Sequence, residues 1–275
     1  MSMPFTKSQI ERLGKRLVQA PVPEEQDLVD LGRLLLRYDE VLEGATDSVR
    51  RLGFEPTGRV KNTGTILEKL HRHGGSWLKS IQDLAGMRVV LSGNRRKQDE
   101  AVRMIAELFA ASGREPKLVD RRANPSHGYR AVHLVVYEQG IPVEIQVRTK
   151  WQHEWADLFE KLADRIGRGI RYGEPPVEWW DDLDHPLDEP AERAELVRRI
   201  YDASYALHEA TVRSAIALSD WISALEDAEA SGVDPNDPEM ARMWGSVQEA
   251  LKGFREQIGD LDQVPKKPSL GSVES

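Results

Sequence analysis

Several segments in the middle of the chain carry residue types suited to phosphates and aromatic bases. In "GRVKNTGTILEKL", Arg59, Lys61 and Lys69 flank Thr63 and Thr65, either of which can cap the helix that starts there. Cations beside a helix N-terminus make a site for phosphates. In "IQDLAGMRVV", Asp83 stands just before an apolar strand and Arg88 lies within it. A carboxylate at a strand edge suits Mg²⁺, although a helix or turn cap is the ordinary alternative. Arg88 is harder to dismiss, because an unpaired buried charge is expensive. In "NPSHGYRAVH", alternation puts Tyr129 and His133 on one face of a strand. In "VEIQVRT" it puts Glu144, Gln146 and Arg148 on one face and Val143, Ile145 and Val147 on the other. A solvated sheet face would explain either strand alone. Facing each other, they suit a ligand that carries both phosphates and a base.

Composition narrows the setting. The chain has 275 residues, 40% hydrophobic and 31% charged, which is enough to bury a core. It has no Cys, which excludes disulfides, thiol catalysis and Cys-based zinc sites. No apolar run approaches the roughly 20 residues that span a bilayer, and the start "MSMPFTKSQIERLGKRL" has no signal-peptide core. A cytoplasmic protein without a membrane partner is the expectation. Net charge is −8, unevenly spread: residues 174–275 hold 9 of the 38 basic and 23 of the 46 acidic residues. Anion binding therefore belongs to the body of the chain, while the acidic third can be a solvated helical surface. "HEWAD" is not H-E-x-x-H, and there is neither a G-x-x-x-x-G-K-[ST] loop nor a G-x-S-x-G elbow.

The elements that must position these residues follow from periodicity. Residues 6–19 and 25–52 read as helices, broken at "APVPEEQ". "TGTILEKLHRHGG" is a helix ended by Gly74-Gly75, "MRVVL" a buried strand, and "RKQDEAVRMIAELFAASG" an amphipathic helix closed by Gly113. "REPKLVD" reads as an edge strand. A hairpin follows, with strands near 129–138 and 141–149 and a turn at Gln139-Gly140, and then the helix "WQHEWADLFEKLADRIG". The fold class is α+β: a mixed β-sheet with packed helices, followed by a long C-terminal helical hairpin. The first hairpin helix is expected to bury Leu196, Ile200, Ala203, Leu207, Ala210, Ser214, Leu218, Trp221 and Leu225. The second is expected to bury Met240, Trp244, Val247, Leu251, Phe254 and Ile258. Such a seam can pack on its own domain or build a homo-oligomer. The expected organisation is N-terminal helices over 1–54, a core over 55–173, a connector and hairpin over 174–261, and a disordered tail over 262–275.

Taken in order, "GRVKNTGTILEKL", "IQDLAGMRVV", "GYRAVHLVV" and "VEIQVRTKWQHEWAD" resemble the synthetase domain of the RelA/SpoT family, over roughly residues 55–165. The resemblance implies a stand-alone small alarmone synthetase that transfers the β,γ-diphosphate of ATP to the 3′-hydroxyl of GDP or GTP. The chain has no His-Asp dipeptide, which the family's hydrolase domain would supply. By the same resemblance, Arg59 and Arg88 sandwich the donor adenine, and Lys61 and Lys69 hold its phosphates. Asp83 and Glu144 serve as catalytic carboxylates and Mg²⁺ ligands, with Glu144 alternatively the base for the 3′-hydroxyl. Tyr129 stacks on the acceptor base, while His133, Gln146 and Arg148 line the acceptor side.

One departure bears on the acceptor. Family members carry a loop like N-P-K-P-x-G-Y, and here it is "NPSHGY", one residue shorter and lacking the Lys and second Pro. This opens the alternatives of a toxin-like diphosphotransferase acting on adenine nucleotides or the tRNA 3′ end, and of an inactive relative that binds nucleotide or partners. A toxin-like protein would have an antitoxin partner. Arg121 and Arg122, in the basic "KLVDRRANP", could hold an RNA backbone.

Overall fold

The computed structural model describes residues 3–111, 113–176, 191–234 and 236–260, with 191–198, 200, 201 and 260 described by backbone alone. Much of the expected connector (177–190) and the expected tail (262–275) lie outside the described residues. The chain divides into two units. The first comprises Met1–Asp120 and Ala131–Thr149, and the second Arg121–Arg130 and Lys150–Ser275.

In the first unit, helix α1 (Lys7–Leu17) opens on a reciprocal cap: Thr6 accepts from the Gln9 amide and the Gln9 side chain accepts from the Thr6 amide. Helix α2 (Glu25–Arg50) follows. Strand β1 (Thr57–Val60) was not expected from its sequence. Four residues including a glycine carry too little alternation to read as a strand. Helix α3 (Thr63–His73) is capped by Asn62, whose side chain accepts from the Thr65 amide at 2.8 Å, so neither threonine is the cap. Strand β2 (Ala85–Leu91), helix α4 (Arg95–Ala110), and strands β3 (Lys117–Asp120), β4 (Val132–Glu138) and β5 (Ile141–Thr149) complete the unit. The hairpin turn sits at Gln139-Gly140, both at positive φ, as a two-residue turn between twisted strands requires. The first hairpin strand starts at Val132, later than expected, so Tyr129 lies outside it.

The sheet order is β1-β2-β5-β4-β3. Neighbours are antiparallel except β2 and β5, which run parallel. A parallel pair cannot be closed by a hairpin, and here α4, β3 and β4 form the crossover. One sheet face is core: Met87, Val89, Val132, Leu134, Ile145 and Val147 are buried with α2 and α4 residues such as Leu34, Val41 and Ile105. The other face carries the polar side chains.

The second unit contains α5 (Lys150–Ile166), α6 (Ala191–Ala230) and α7 (Pro238–Asp260). Trp155, Phe159, Leu162 and Ile166 of α5 share a core with Leu218, Ile222 and Leu225 of α6 and Val247, Leu251 and Phe254 of α7. Trp151 stacks on Trp244 at 4.9 Å and 12°. The hairpin thus spends its apolar stripe on α5 of the same chain. On α7 the expected residues are those that pack. On α6 the seam is rotated: His208, Thr211, Ala215, Leu218, Ile222 and Leu225 are buried, whereas Ala203, Leu207, Ser214 and Trp221 are exposed. The two polar members hid the true register from a purely apolar pattern.

Glycine permits one close approach in the first unit. A Cβ on Gly14 would stand 2.1 Å from the carbonyl oxygen of Gly75 and 2.7 Å from Cβ of Leu78. Gly14→Ala should therefore destabilise the protein by about 1–3 kcal/mol in urea unfolding. Gly32→Ala, with nothing within 4 Å, should be neutral or stabilising. Equal effects of the two would contradict this packing.

Candidate functional site

The site begins where β1 ends and β2 begins. The Lys61 amide donates to the Leu84 carbonyl at 2.8 Å, just beyond the last β1–β2 pair, Val60 with Ala85. This junction brings Lys61 beside Asp83, and α3 adds Lys69 from its second turn. Lys61 Nζ donates to Asp83 Oδ2 at 2.8 Å, and Lys69 Nζ donates to Oδ1 at 3.0 Å and Oδ2 at 2.8 Å. The Asp83 side chain is 25% exposed. Burial is the largest single influence on its carboxyl and pushes the pKa up. The hydrogen bonds and charges of the two lysines together outweigh it and hold the pKa below its ordinary 3.8.

A second polar chain crosses the sheet. His133 Nδ1 bonds Glu144 Oε1 at 2.9 Å, and Gln146 Nε2 donates to Glu144 Oε2 at 2.8 Å. Arg148 Nη2 donates to Gln146 Oε1 at 2.7 Å. An ionised carboxylate can only accept, so the imidazole carries its hydrogen on Nδ1 in this bond. Burial pushes Glu144 up. The His133 hydrogen bond and charge, then the Gln146 bond, bring its pKa below 4.5, against a smaller opposing push from the charge of Asp83. That last influence means the two carboxylates feel each other.

Strand register explains why these groups share a face. Arg59 pairs with Gly86, and Gly86 with Glu144, in one row. Thr57, Arg88, Gln146 and His133 form the next row. Arg148 lies opposite Val90 in the row beyond. Arg59 and Arg88 are diagonal neighbours, which in an antiparallel pair stand roughly 7–8 Å apart. That is about twice a ring-contact distance, the gap that two guanidinium planes need to hold a base between them. Gly86 leaves the floor between Arg59 and Glu144 bare. A Cβ there would meet only the Glu144 carbonyl oxygen, at 3.7 Å, so the fold itself does not demand glycine.

The structure therefore gathers Arg59, Lys61, Lys69, Asp83, Arg88, His133, Glu144, Gln146 and Arg148 in the first unit. Tyr129, Arg121 and Arg122 belong to the second unit instead. Arg121 and Arg122 are half-buried in the turn after β3. Gly86 escaped the sequence reading, although a glycine inside a strand is itself a sign of close backbone approach. Among the described residues no group of three or more His, Asp or Glu is placed to hold a metal. Among the described residues no helix is long and apolar enough to cross a membrane.

Residues 58–163 match the model of a region found in RelA / SpoT proteins. Two relatives, uncharacterized proteins of Mycobacterium bovis and Mycobacterium tuberculosis, are each 35% identical over 217 residues, covering 75% of this chain and 76% of theirs. The chain belongs to the RelA/SpoT family. Among solved structures, it is similar to the small alarmone synthetase 1 of Bacillus subtilis bound to its product pppGpp. That chain is 27% identical, with 52% of this chain and 85% of that one covered and a TM-score of 0.41.

Because Asp83 titrates below its ordinary value when folded, the stabilisation from its lysine pairs is fully present above pH 3.8 and is lost as pH falls through the folded pKa. Asp83→Asn should be less stable than the unaltered protein at neutral pH, with a gap that closes below about pH 4. A gap constant with pH in urea unfolding would contradict the assigned ion pairs.

Proposed function

We propose that the chain is a small alarmone synthetase, transferring the β,γ-diphosphate of ATP to the 3′-hydroxyl of GDP or GTP and releasing AMP. The observation that carries this reading is the single polar face on which Lys61, Lys69 and Asp83 stand beside Glu144, His133 and two diagonal arginines. Family membership supports it. Phosphoryl-type transfer asks a protein chiefly for positioning and charge neutralisation, not for a nucleophile of its own.

In this reading Arg59 and Arg88 stack on the donor adenine, while Lys61 and Lys69 neutralise its phosphates. Two ionised carboxylates fit Mg²⁺, which usually binds through one or two carboxylates and completes its shell with phosphate and water. An ionised carboxylate has about four lone-pair sites, so the three hydrogen bonds to Asp83 leave it able to bind a cation. Bound there, the ion would supply charge neutralisation on the donor phosphates. The acceptor 3′-oxygen forms a bond to the β-phosphorus. The bond between that phosphorus and the α,β-bridging oxygen breaks, and AMP leaves with the electron pair. The 3′-hydroxyl proton passes to the Glu144–His133 pair. Gln146 and Arg148 hold Glu144 in register and line the acceptor side.

The shortened "NPSHGY" loop favours one competing acceptor class, an adenine nucleotide or the tRNA 3′ end. AMP release from labelled ATP and Mg²⁺, measured with ATP alone and with GDP, GTP or bulk tRNA added separately, decides between them. Release that depends on GDP or GTP is expected; release from ATP alone, unchanged by GDP or GTP, or release that depends on tRNA would overturn the acceptor assignment. Asp83→Asn and Glu144→Ala should each lower the rate at least roughly 10²-fold while remaining folded. Unchanged rates would remove both carboxylates from the site. Arg121→Glu combined with Arg122→Glu should spare a nucleotide reaction and impair one on tRNA; equal effects on both would count against a separate RNA patch.

A further inference from the structure

The shortened loop closes in an unexpected way. Ser126 and Tyr129 exchange backbone hydrogen bonds, Tyr129 to Ser126 at 3.0 Å and Ser126 to Tyr129 at 3.3 Å. Between them His127 has φ 50° and Gly128 φ 84°, so the segment is a two-residue turn with both central residues left-handed. Gly128 is fixed twice over. Its φ is strained for any side chain, and a Cβ would stand 2.8 Å from the Trp155 ring and 3.3 Å from Cα of Ile216.

The turn is fastened to α6. The Gly128 carbonyl accepts from Ser219 Oγ and from Arg130 Nη1. Arg130 Nη1 also donates to Ser219 Oγ at 2.7 Å, and its Nη2 donates to Asp220 Oδ1 at 2.8 Å. Arg130 and Ser219 are buried. Close by, Trp155 Nε1 donates to the Ala215 carbonyl at 2.6 Å, tying α5 to α6. Tyr129 is thus pinned through both chain neighbours, and its ring packs against the core of this second unit.

We propose that Arg130, Ser219 and Asp220 are positioning residues that hold Tyr129 for the acceptor base, so that α6 replaces the loop residues the chain lacks. This rests on the reading of Tyr129 as the acceptor's stacking ring. A guanidinium is suited to the task, because its planar fork serves a hydroxyl, a carbonyl and a carboxylate at once with little loss of rotamer freedom. A lysine could keep the charge at Asp220 but not the fork. A desolvated arginine is costly to keep for stability alone. The C-terminal helices then belong to substrate recognition as well as to packing.

The test uses the full chain and Arg130→Ala, Arg130→Lys, Ser219→Ala and Asp220→Asn. Asp220 is largely exposed, so its variant should fold normally. Arg130→Ala should raise the acceptor KM roughly tenfold or more, with donor KM and kcat within about twofold. Ser219→Ala and Asp220→Asn should give smaller shifts in the same direction, and Arg130→Lys should recover only part of the loss. Amide exchange at Tyr129 should quicken in Arg130→Ala. Donor and acceptor KM rising together, or an unchanged acceptor KM, would overturn the proposal. Should the unaltered protein release no AMP with any acceptor, the transferase reading falls on its own. Amide exchange then judges the fastening, and unchanged protection at Tyr129 in Arg130→Ala would overturn it.

Discussion

Gly86 lies opposite Glu144, and Arg88 opposite Gln146, because β2 and β5 pair in parallel at one register. Side chains on a strand alternate with period two, so a slip of one residue would turn every one of these groups into the core and bring Met87, Val89, Ile145 and Val147 to the surface. The apolar set on the far face makes that slip prohibitive. The hydrophobic core is therefore what aligns the polar rows, and the β4–β5 hairpin carries the same register onward to His133.

The electrostatics follow from that alignment. The charge of Asp83 raises Glu144's cost of ionising, yet both are held as carboxylates by local donors: two ammonium groups for Asp83, an imidazole and an amide for Glu144. Around them Arg59, Lys61, Lys69, Arg88 and Arg148 leave the face with an excess of positive charge. A half-buried setting strengthens such interactions relative to water. An arrangement of this sort suits a polyanion that arrives with its own cation.

Much of this was legible in the sequence because the residues involved alternate or cap. The Glu-x-Gln-x-Arg strand, the apolar β2 and the amphipathic α4 and α5 declare themselves by period. What escaped is what depends on pairing between distant segments. Strand β1 is too short to show a pattern, yet it delivers Arg59. The α6 seam runs through His208 and Thr211, so the apolar period pointed about one residue away. Arg130 lies about 90 residues before Ser219 and Asp220, and the three become a unit only in three dimensions. Tyr129, expected in the hairpin strand beside His133, belongs instead to a separate tight turn.

The central claim is that the polar sheet face is the floor of a nucleotide site. Gly86 offers the most direct measurement, because its missing side chain faces that floor and the backbone has room for one. Calorimetric titration with an unreactive ATP analogue and Mg²⁺ would compare the unaltered protein with Gly86→Val. The account predicts an unchanged or higher melting temperature, since valine favours strands, together with a loss of analogue affinity of roughly tenfold or more. Equal affinity in the two proteins would contradict it.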